Sequence, residues 1–357
     1  MKDFMLTMEN QPLQLLLPWF RENARDLPWR RTRDPYPIWI SEIMLQQTRV
    51  AAVLGYYARF LAAFPTVEDL AAAPEEQLMK LWEGLGYYSR ARNLQKAAKC
   101  IAAQGAFPAA YEELLKLPGI GEYTAGAIAS AAFGLREPAV DGNVLRVMMR
   151  LGNCRGDIAD PKVKAAVRSA VKSAMPEARE DILIFNQALM ELGATVCVPN
   201  GEPKCGDCPM KEVCLARKYG TAMTLPVKSG KKQRRKEEKT VYVLLQEGRV
   251  ALRKRWEEGL LAGLWEFPNL PGTMNETEVP EALRQWGLTA KAWRKKLAAK
   301  HIFTHVEWHM TGYVLEVEGR GAEAFLWADT KALENHAVPS AFGKFYEEAC
   351  KALKEEA

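Results

Sequence analysis

Between residues 11 and about 220, apolar side chains recur every three or four positions, the period of an α-helix with one buried face. The pattern predicts helices over residues 50–64 (VAAVLGYYARFLAAF), 74–83, 89–104 and 162–174. Pro65-Thr66, Phe107-Pro108 and Met175-Pro176 punctuate them, since proline cannot continue a helix. Past residue 239 the character changes. Residues 240–245, 249–252, 302–308 and 311–317 are short runs rich in Val, Leu and aromatics, and predict strands. Between the two regimes, residues 226–239 (PVKSGKKQRRKEEK) hold seven Lys or Arg against two Glu, the composition of an exposed linker. A DNA contact by these residues is the secondary reading. The expectation is a helical region of residues 11–220 followed by a separate α+β domain.

A chain of 357 residues exceeds one ordinary core and points to two or three domains. The first ten residues lack the apolar region of a signal peptide, and the apolar stretch 13–20 is broken by Gln14 and Pro18. A cytoplasmic protein is expected, with no membrane partner. Net charge of +5 permits nucleic-acid binding without requiring it.

Four of the seven cysteines, Cys197, Cys205, Cys208 and Cys214, fall within eighteen positions as Cys-x7-Cys-x2-Cys-x5-Cys. Thiolates gathered this closely hold a soft centre, either zinc or an iron–sulfur cluster. Disulfides are disfavoured by the odd total and the scattered Cys100, Cys154 and Cys350. Zinc ribbons ordinarily use two Cys-x2-Cys pairs. The single pair and unequal spacing lean to a cubane cluster, with zinc left open.

Upstream, Leu117-Pro118-Gly119-Ile120-Gly121 separates a predicted helix at 111–116 from another at 123–133. Its glycines allow a turn that leaves backbone N–H groups at a helix N-terminus, where a phosphate can be received without base preference. A plain turn between packed helices is the simpler alternative.

The turn at 117–121, then Asp141, then the Cys197–Cys214 run resembles the helix-hairpin-helix superfamily of DNA glycosylases. Residues 39–48 (WISEIMLQQT), 82–90 (WEGLGYYSR) and 140–143 (VDGN) are similar to the adenine DNA glycosylases of the MutY type. The resemblance implies an all-α helix-hairpin-helix glycosylase core with an iron–sulfur module, followed by an α+β Nudix-like domain. Residues 1–28 and 136–220 would form the helical domain carrying a [4Fe-4S] cluster on Cys197, Cys205, Cys208 and Cys214. Residues 29–135 would carry the hairpin, 221–239 the basic linker, and 240–357 the recognition domain. The cysteine run has one residue more between its first two members than the family's usual six.

The resemblance implies roles residue by residue. Glu42 matches the general acid that protonates adenine; its apolar neighbours predict a raised pKa. An ordinary first-turn glutamate behind a Ser41 cap is the alternative. Asp141 matches the carboxylate facing the sugar's developing positive charge, and also precedes a helix at 144–151 as an N-cap would. Asn143 and Tyr123 match positions that orient water and Asp141. The adenine pocket is implied for Arg25, Leu27, Trp29, Arg30 and Gln187. DNA contacts are implied for Gln46, Gln47, Tyr87, Leu117, Gly119 and Gly121, since the target base must leave the stack. Tyr123 stands where lyase-active relatives carry a Schiff-base lysine, and a phenol forms no imine. Lys116 is the one nearby amine that could substitute.

In the C-terminal part, Phe303-Thr304-His305 resembles the Phe-Ser-His loop that reads 8-oxoguanine, with Thr in place of Ser. His301, His305 and His309 recur every fourth residue, but interleaved Val and aromatics argue against a helical metal face. Residues 259–268 (GLLAGLWEFP) resemble a Nudix core without the acidic helix that holds Mg²⁺. The implied function is excision of adenine opposite 8-oxoguanine or guanine in double-stranded DNA, by a monofunctional bacterial monomer on the nucleoid. The rivals are an endonuclease III-like lyase, a cluster-bearing protein without catalysis, and a nucleotide pyrophosphatase.

Overall fold

The computed structural model describes residues 15–230 and 233–355. The start of the expected 1–28 segment, linker residues 231–232 and the last two residues lie outside that range. The chain forms two compact units: Met1–Ala72 with Arg92–Gly230, and Ala73–Ala91 with Lys231–Ala357.

The first unit is helical: α1 (Leu16–Asn23), α2 (Pro35–Leu45), α3 (Val50–Ala63), α4 (Val67–Ala72), most of α6 (Ser89–Gln104), α7 (Tyr111–Leu114), α8 (Glu122–Phe133), α9 (Gly142–Leu151), α10 (Pro161–Ala174), α11 (Arg179–Thr195) and α12 (Leu215–Lys218). Starts follow local chemistry. Asp34, Asp141 and Asp160 cap α2, α9 and α10 by accepting first-turn N–H groups, and proline opens α2 and α10. The central helix is α8, packed between α2 and α11. Thr124–Ala132 are all buried, and small side chains let neighbours approach closely. A Cβ on Gly126 would stand 2.3 Å from the Pro138 carbonyl oxygen.

The second unit contains α5 (Glu75–Trp82) and a mixed sheet in the order β3-β2-β1-β6-β5, with β4 paired to β1 and β7 to β2. The strands are β1 (Arg235–Gln246), β2 (Arg249–Lys254), β3 (Trp265–Glu266), β4 (Asn269–Pro271), β5 (Leu288–Ile302), β6 (Val306–Gly319) and β7 (Phe325–Ala328). β1 runs parallel to β6 from Arg235↔Val306 to Leu245↔Glu316. Val241, Val243 and Leu245 face one core and Tyr242 and Leu244 the other, so β1 is covered on both sides. α15 (Gly343–Glu355) supplies the first core and α13 (Val279–Gln285) the second; α14 (Thr330–Asn335) follows β7.

Two expectations are corrected. The run 302–308 is not one strand: β5 ends at Ile302, β6 begins at Val306, and the intervening residues make the hairpin turn. The basic segment is not all connection either, because β1 already starts at Arg235. Among the described residues no helix is long and apolar enough to cross a membrane.

Candidate active site and cysteine cluster

Glu42 is the eighth residue of α2, not part of its first turn, and the cap is Asp34 rather than Ser41. It is 9% exposed. Burial drives its pKa up to about 7, against the Tyr123 hydrogen bond and the Arg30 charge, while the nearby Asp141 charge raises it further. Tyr123, in the first turn of α8, donates its hydroxyl to Glu42 Oε2 at 2.6 Å, with Met190 Sδ 3.3 Å away. Asp141 is the α9 cap. Its Oδ1 accepts the N–H groups of Asn143 (2.9 Å) and Val144 (2.8 Å), and its Oδ2 accepts Asn143 Nδ2 at 2.7 Å. Burial raises its pKa and these hydrogen bonds oppose the shift. Asp141 is near enough to act electrostatically on both Glu42 and Tyr123, so Glu42, Tyr123, Asp141 and Asn143 share one site, supplied by α2, α8 and the start of α9.

A third carboxyl group, which the sequence did not single out, lies beside them. Glu191 on α11 is fully buried. It accepts Arg25 Nε (2.7 Å) and Nη2 (2.8 Å), and Arg30 Nη2 (2.8 Å). Burial pushes its pKa up, but the two arginines outweigh it and hold it at about 2. Glu191 thus joins Arg25 and Arg30 from the loop after α1. Its only advance signal is its place one helical turn after Gln187. Gln187 is half-buried on the same helix. Leu27 and Trp29 are buried, Trp29 edge-on to Tyr57 at 5.3 Å. Asn186 was also missed. It ties residues leading into Asp141 to the helical core, donating to the Glu137 carbonyl and Ser130 Oγ and accepting the Ala139 N–H.

In the hairpin Leu117 is buried, Gly119 has φ 77° and Gly121 caps α8. A Cβ on Gly119 would fall 2.7 Å from Asn93 Cβ, so glycine is needed there for space as well as conformation. Lys116 pairs with Glu113 at 2.6 Å on the surface. Gln46 closes α2 and donates to Thr124 Oγ1 at 3.4 Å. Gln47 has φ 59° and Tyr87 φ 48°, left-handed conformations that cost a non-glycine residue energy and concentrate at functional sites.

Tyr87 is 46% exposed, and its hydroxyl lies 2.8 Å from Thr304 Oγ1 in the second unit. Thr304 is the middle of the β5–β6 turn. The Phe303 ring packs on His301 (4.5 Å) and Trp308 (4.9 Å), while His305 offers its carbonyl to the Arg235 N–H at 3.1 Å. His309 bonds Glu307 at 2.6 Å, and among the described residues the histidines form no metal site.

The four cysteines of the run line one cavity together with Arg150, Lys204, Lys211 and Arg217. Burial lifts the Cys208 thiol to about 11, and the other three sulfurs, near enough to matter electrostatically, add to it. Arg150 Nη1 donates to Cys197 Sγ (3.3 Å) and to the Val198 carbonyl (2.9 Å). Arg146 spans the two regions: it donates to Asn143 Oδ1 (2.9 Å), the Gly193 carbonyl (2.7 Å) and the Cys197 carbonyl (2.8 Å). Among the described residues no three His, Cys, Asp or Glu stand as a single-ion site would require.

Residues 40–173 match the HhH-GPD superfamily of base excision DNA repair proteins, and residues 240–348 match the NUDIX domain. The human adenine DNA glycosylase is 36% identical over 85% of this chain and 67% of its own length. That of Buchnera aphidicola subsp. Baizongia pistaciae is 35% identical over 84% of each. The chain belongs to the adenine DNA glycosylase family. The helical part of this adenine DNA glycosylase also resembles an endonuclease III trapped as a covalent DNA intermediate, with TM-score 0.50 and 30% identity over 58% of this chain and 94% of that one. This chain combines a helical HhH-GPD core with a Nudix-like domain of mixed sheet.

Proposed function

We propose that this adenine DNA glycosylase excises adenine opposite 8-oxoguanine or guanine by hydrolysis alone, with Glu42 as acid and Asp141 as the charge facing the sugar. The observation carrying it is the buried Glu42 carboxyl, brought to about 7 with the Asp141 charge close enough to raise it. A carboxyl near neutrality can hold a proton and release it to purine N7, which turns a poor leaving group into a neutral one. The electron pair of the glycosidic bond leaves with the base. The oxocarbenium ion left behind is stabilised by the Asp141 carboxylate, which the hydrogen bonds from Asn143 and Val144 favour against the upward pull of burial. A water oriented by Asn143 then attacks the anomeric carbon, and Glu42 carboxylate recovers a proton. Tyr123 holds the Glu42 carboxyl in orientation rather than attacking the sugar.

The rest of the site fits an extruded adenine. Arg25, Arg30 and Gln187 offer polar contacts, with Leu27 and Trp29 as apolar walls. Gln46, Gln47 and Tyr87 would fill the gap in the duplex, the hairpin Leu117–Gly121 would take a phosphate, and Phe303, Thr304 and His305 would read 8-oxoguanine. The domain limits follow the same reading, 1–28 with 136–220, 29–135 and 240–357, except that β1 carries the last domain back to Arg235 and shortens the basic connection; the protein would act as a monomer on a bacterial nucleoid.

A [4Fe-4S] cluster fits the cysteine cavity. Four thiols line it, and four basic side chains around it offset the charge of thiolate ligands. Cys197, Cys205, Cys208 and Cys214 would hold it, and when bound it supplies a covalent brace for the segment after α11.

The deciding experiment is base release from duplexes with adenine opposite 8-oxoguanine, guanine or thymine, with and without heat and alkali. Strand breaks should appear only after alkali, and borohydride should trap little protein on DNA, because Tyr123 provides no amine and Lys116 is paired with Glu113. Release of adenine equally from all three duplexes, or direct strand cutting, would reject it.

A further inference from the structure

The segment Ala73–Ala91 lies inside the stretch that matches the glycosylase family, yet it packs within the compact unit of the C-terminal domain. Its attachments are specific. Glu83 Oε1 accepts the Val338 N–H at 2.9 Å, and Glu83 Oε2 pairs with Lys80 at 2.7 Å. Lys80 in turn donates to the His336 carbonyl at 3.2 Å, while the His336 ring stands edge-on to Trp265 at 4.7 Å. The Lys80 and Glu83 side chains are 31% and 27% exposed, so their pairing is partly shielded from water.

Immediately after Glu83 the backbone makes an irregular run in which three residues take positive φ, Gly84 at 94°, Gly86 at 69° and Tyr87 at 48°. The run is over-determined. Arg90 Nη2 donates to the carbonyls of Leu85 (3.0 Å) and Gly86 (3.1 Å), and Trp82 Nε1 donates to that of Gly86 at 3.1 Å. A turn held this way transmits the placement of Glu83 to Tyr87, whose hydroxyl meets Thr304 at 2.8 Å. Two side chains, Lys80 and Glu83, thus fasten the segment to residues 336–338, and Tyr87, four residues after Glu83, touches the β5–β6 turn.

We infer that Glu83, supported by Lys80, is a positioning residue that fixes Tyr87 against the Phe303–His305 turn and so sets the preference for 8-oxoguanine over guanine. This rests on the reading of Tyr87 and the turn proposed above. Glu83 touches no substrate; it acts through the geometry of Tyr87.

The test is equilibrium binding and single-turnover excision by the full chain, on matched duplexes with adenine opposite 8-oxoguanine or guanine. Glu83→Ala removes both contacts and should cut the binding preference for 8-oxoguanine roughly tenfold, the order expected for a charge-assisted hydrogen bond. Excision opposite guanine should stay within about twofold. Glu83→Gln keeps an acceptor for the Val338 N–H and should restore most of the preference, which a merely structural defect would not allow. Lys80→Met should lose a smaller part, and it decides the matter should Glu83→Ala fail to fold. Retention of full preference in these variants, or parallel loss on both duplexes, overturns the assignment. A wild-type protein without any preference would instead reject the reading of the turn, and the assignment with it.

Discussion

Glu42 and Asp141 differ by environment rather than type. Glu42 is set in an apolar helix face with one hydroxyl partner, whereas Asp141 is surrounded by donors at a helix start. Glu42→Gln keeps the shape but carries no acidic proton, and Asp141→Asn removes the charge. Each is expected to lower the single-turnover rate by on the order of 10²–10⁴, with binding to the same duplex far less affected. Because the acid must be protonated, excision should decline as pH rises through about 7, approaching tenfold per unit. The same shift affects stability. A carboxyl raised from 4.5 to about 7 stabilises the fold fully below about 4.5, and that contribution is lost as pH rises through 7. At pH 8 and above Glu42→Gln should therefore unfold at higher temperature than wild type, by an amount equivalent to roughly 3 kcal/mol. An unchanged Tm at pH 8 would mean the carboxyl is not desolvated in solution.

At the scale of elements, two close approaches decide the site. Gly193 on α11 faces the start of α9, and a Cβ there would stand 2.6 Å from Asn143 Cβ and 3.2 Å from its backbone. Gly193→Ala must push α9 away, and Asp141, its cap, moves with it. Overpacking of this kind costs about 1–3 kcal/mol. Excision should fall at least tenfold while far-UV circular dichroism keeps its helical signal. The other approach is at the cysteine cavity, where purified protein should contain about four iron and four sulfide per chain. Stoichiometric zinc would overturn the cluster. Strand β5 shows why element boundaries were harder to read. Its sequence, LTAKAWRKKLAAKHI, is rich in Ala and Lys and has no clean alternation, because register shifts near residues 290–295 interrupt the pleat. It is strand because β6 offers it a partner and its lysines protect an exposed edge.

At the scale of the molecule, the proposed function divides the work, with reading of the opposite base assigned to the second unit and removal of the adenine to the first. A chain ending at Gly230 is expected to retain excision opposite guanine and to lose most of its preference for 8-oxoguanine, measured as the ratio of binding constants. Equal preference in the shortened and full chains would move recognition into the helical unit. Much of this organisation was legible in the amino-acid order. Helical period, the glycine turn, the cysteine spacing and the change of pattern after residue 239 are local properties, carried by side chains a few positions apart. Glu42 was legible as an acid in apolar company and, through the 39–48 motif, as the family's general acid. That it is buried, eight residues into its helix and bonded to Tyr123, follows from α8 packing across α2. The roles of Glu191 and Glu83 were not legible, although Glu191 stands one turn after Gln187 and Glu83 lies within the 82–90 motif. Nothing in the sequence around a lone glutamate distinguishes one that gathers two arginines from one that faces solvent. Burial, charge pairing and close approach are properties of segments far apart in the chain, and only the tertiary structure brings those segments together.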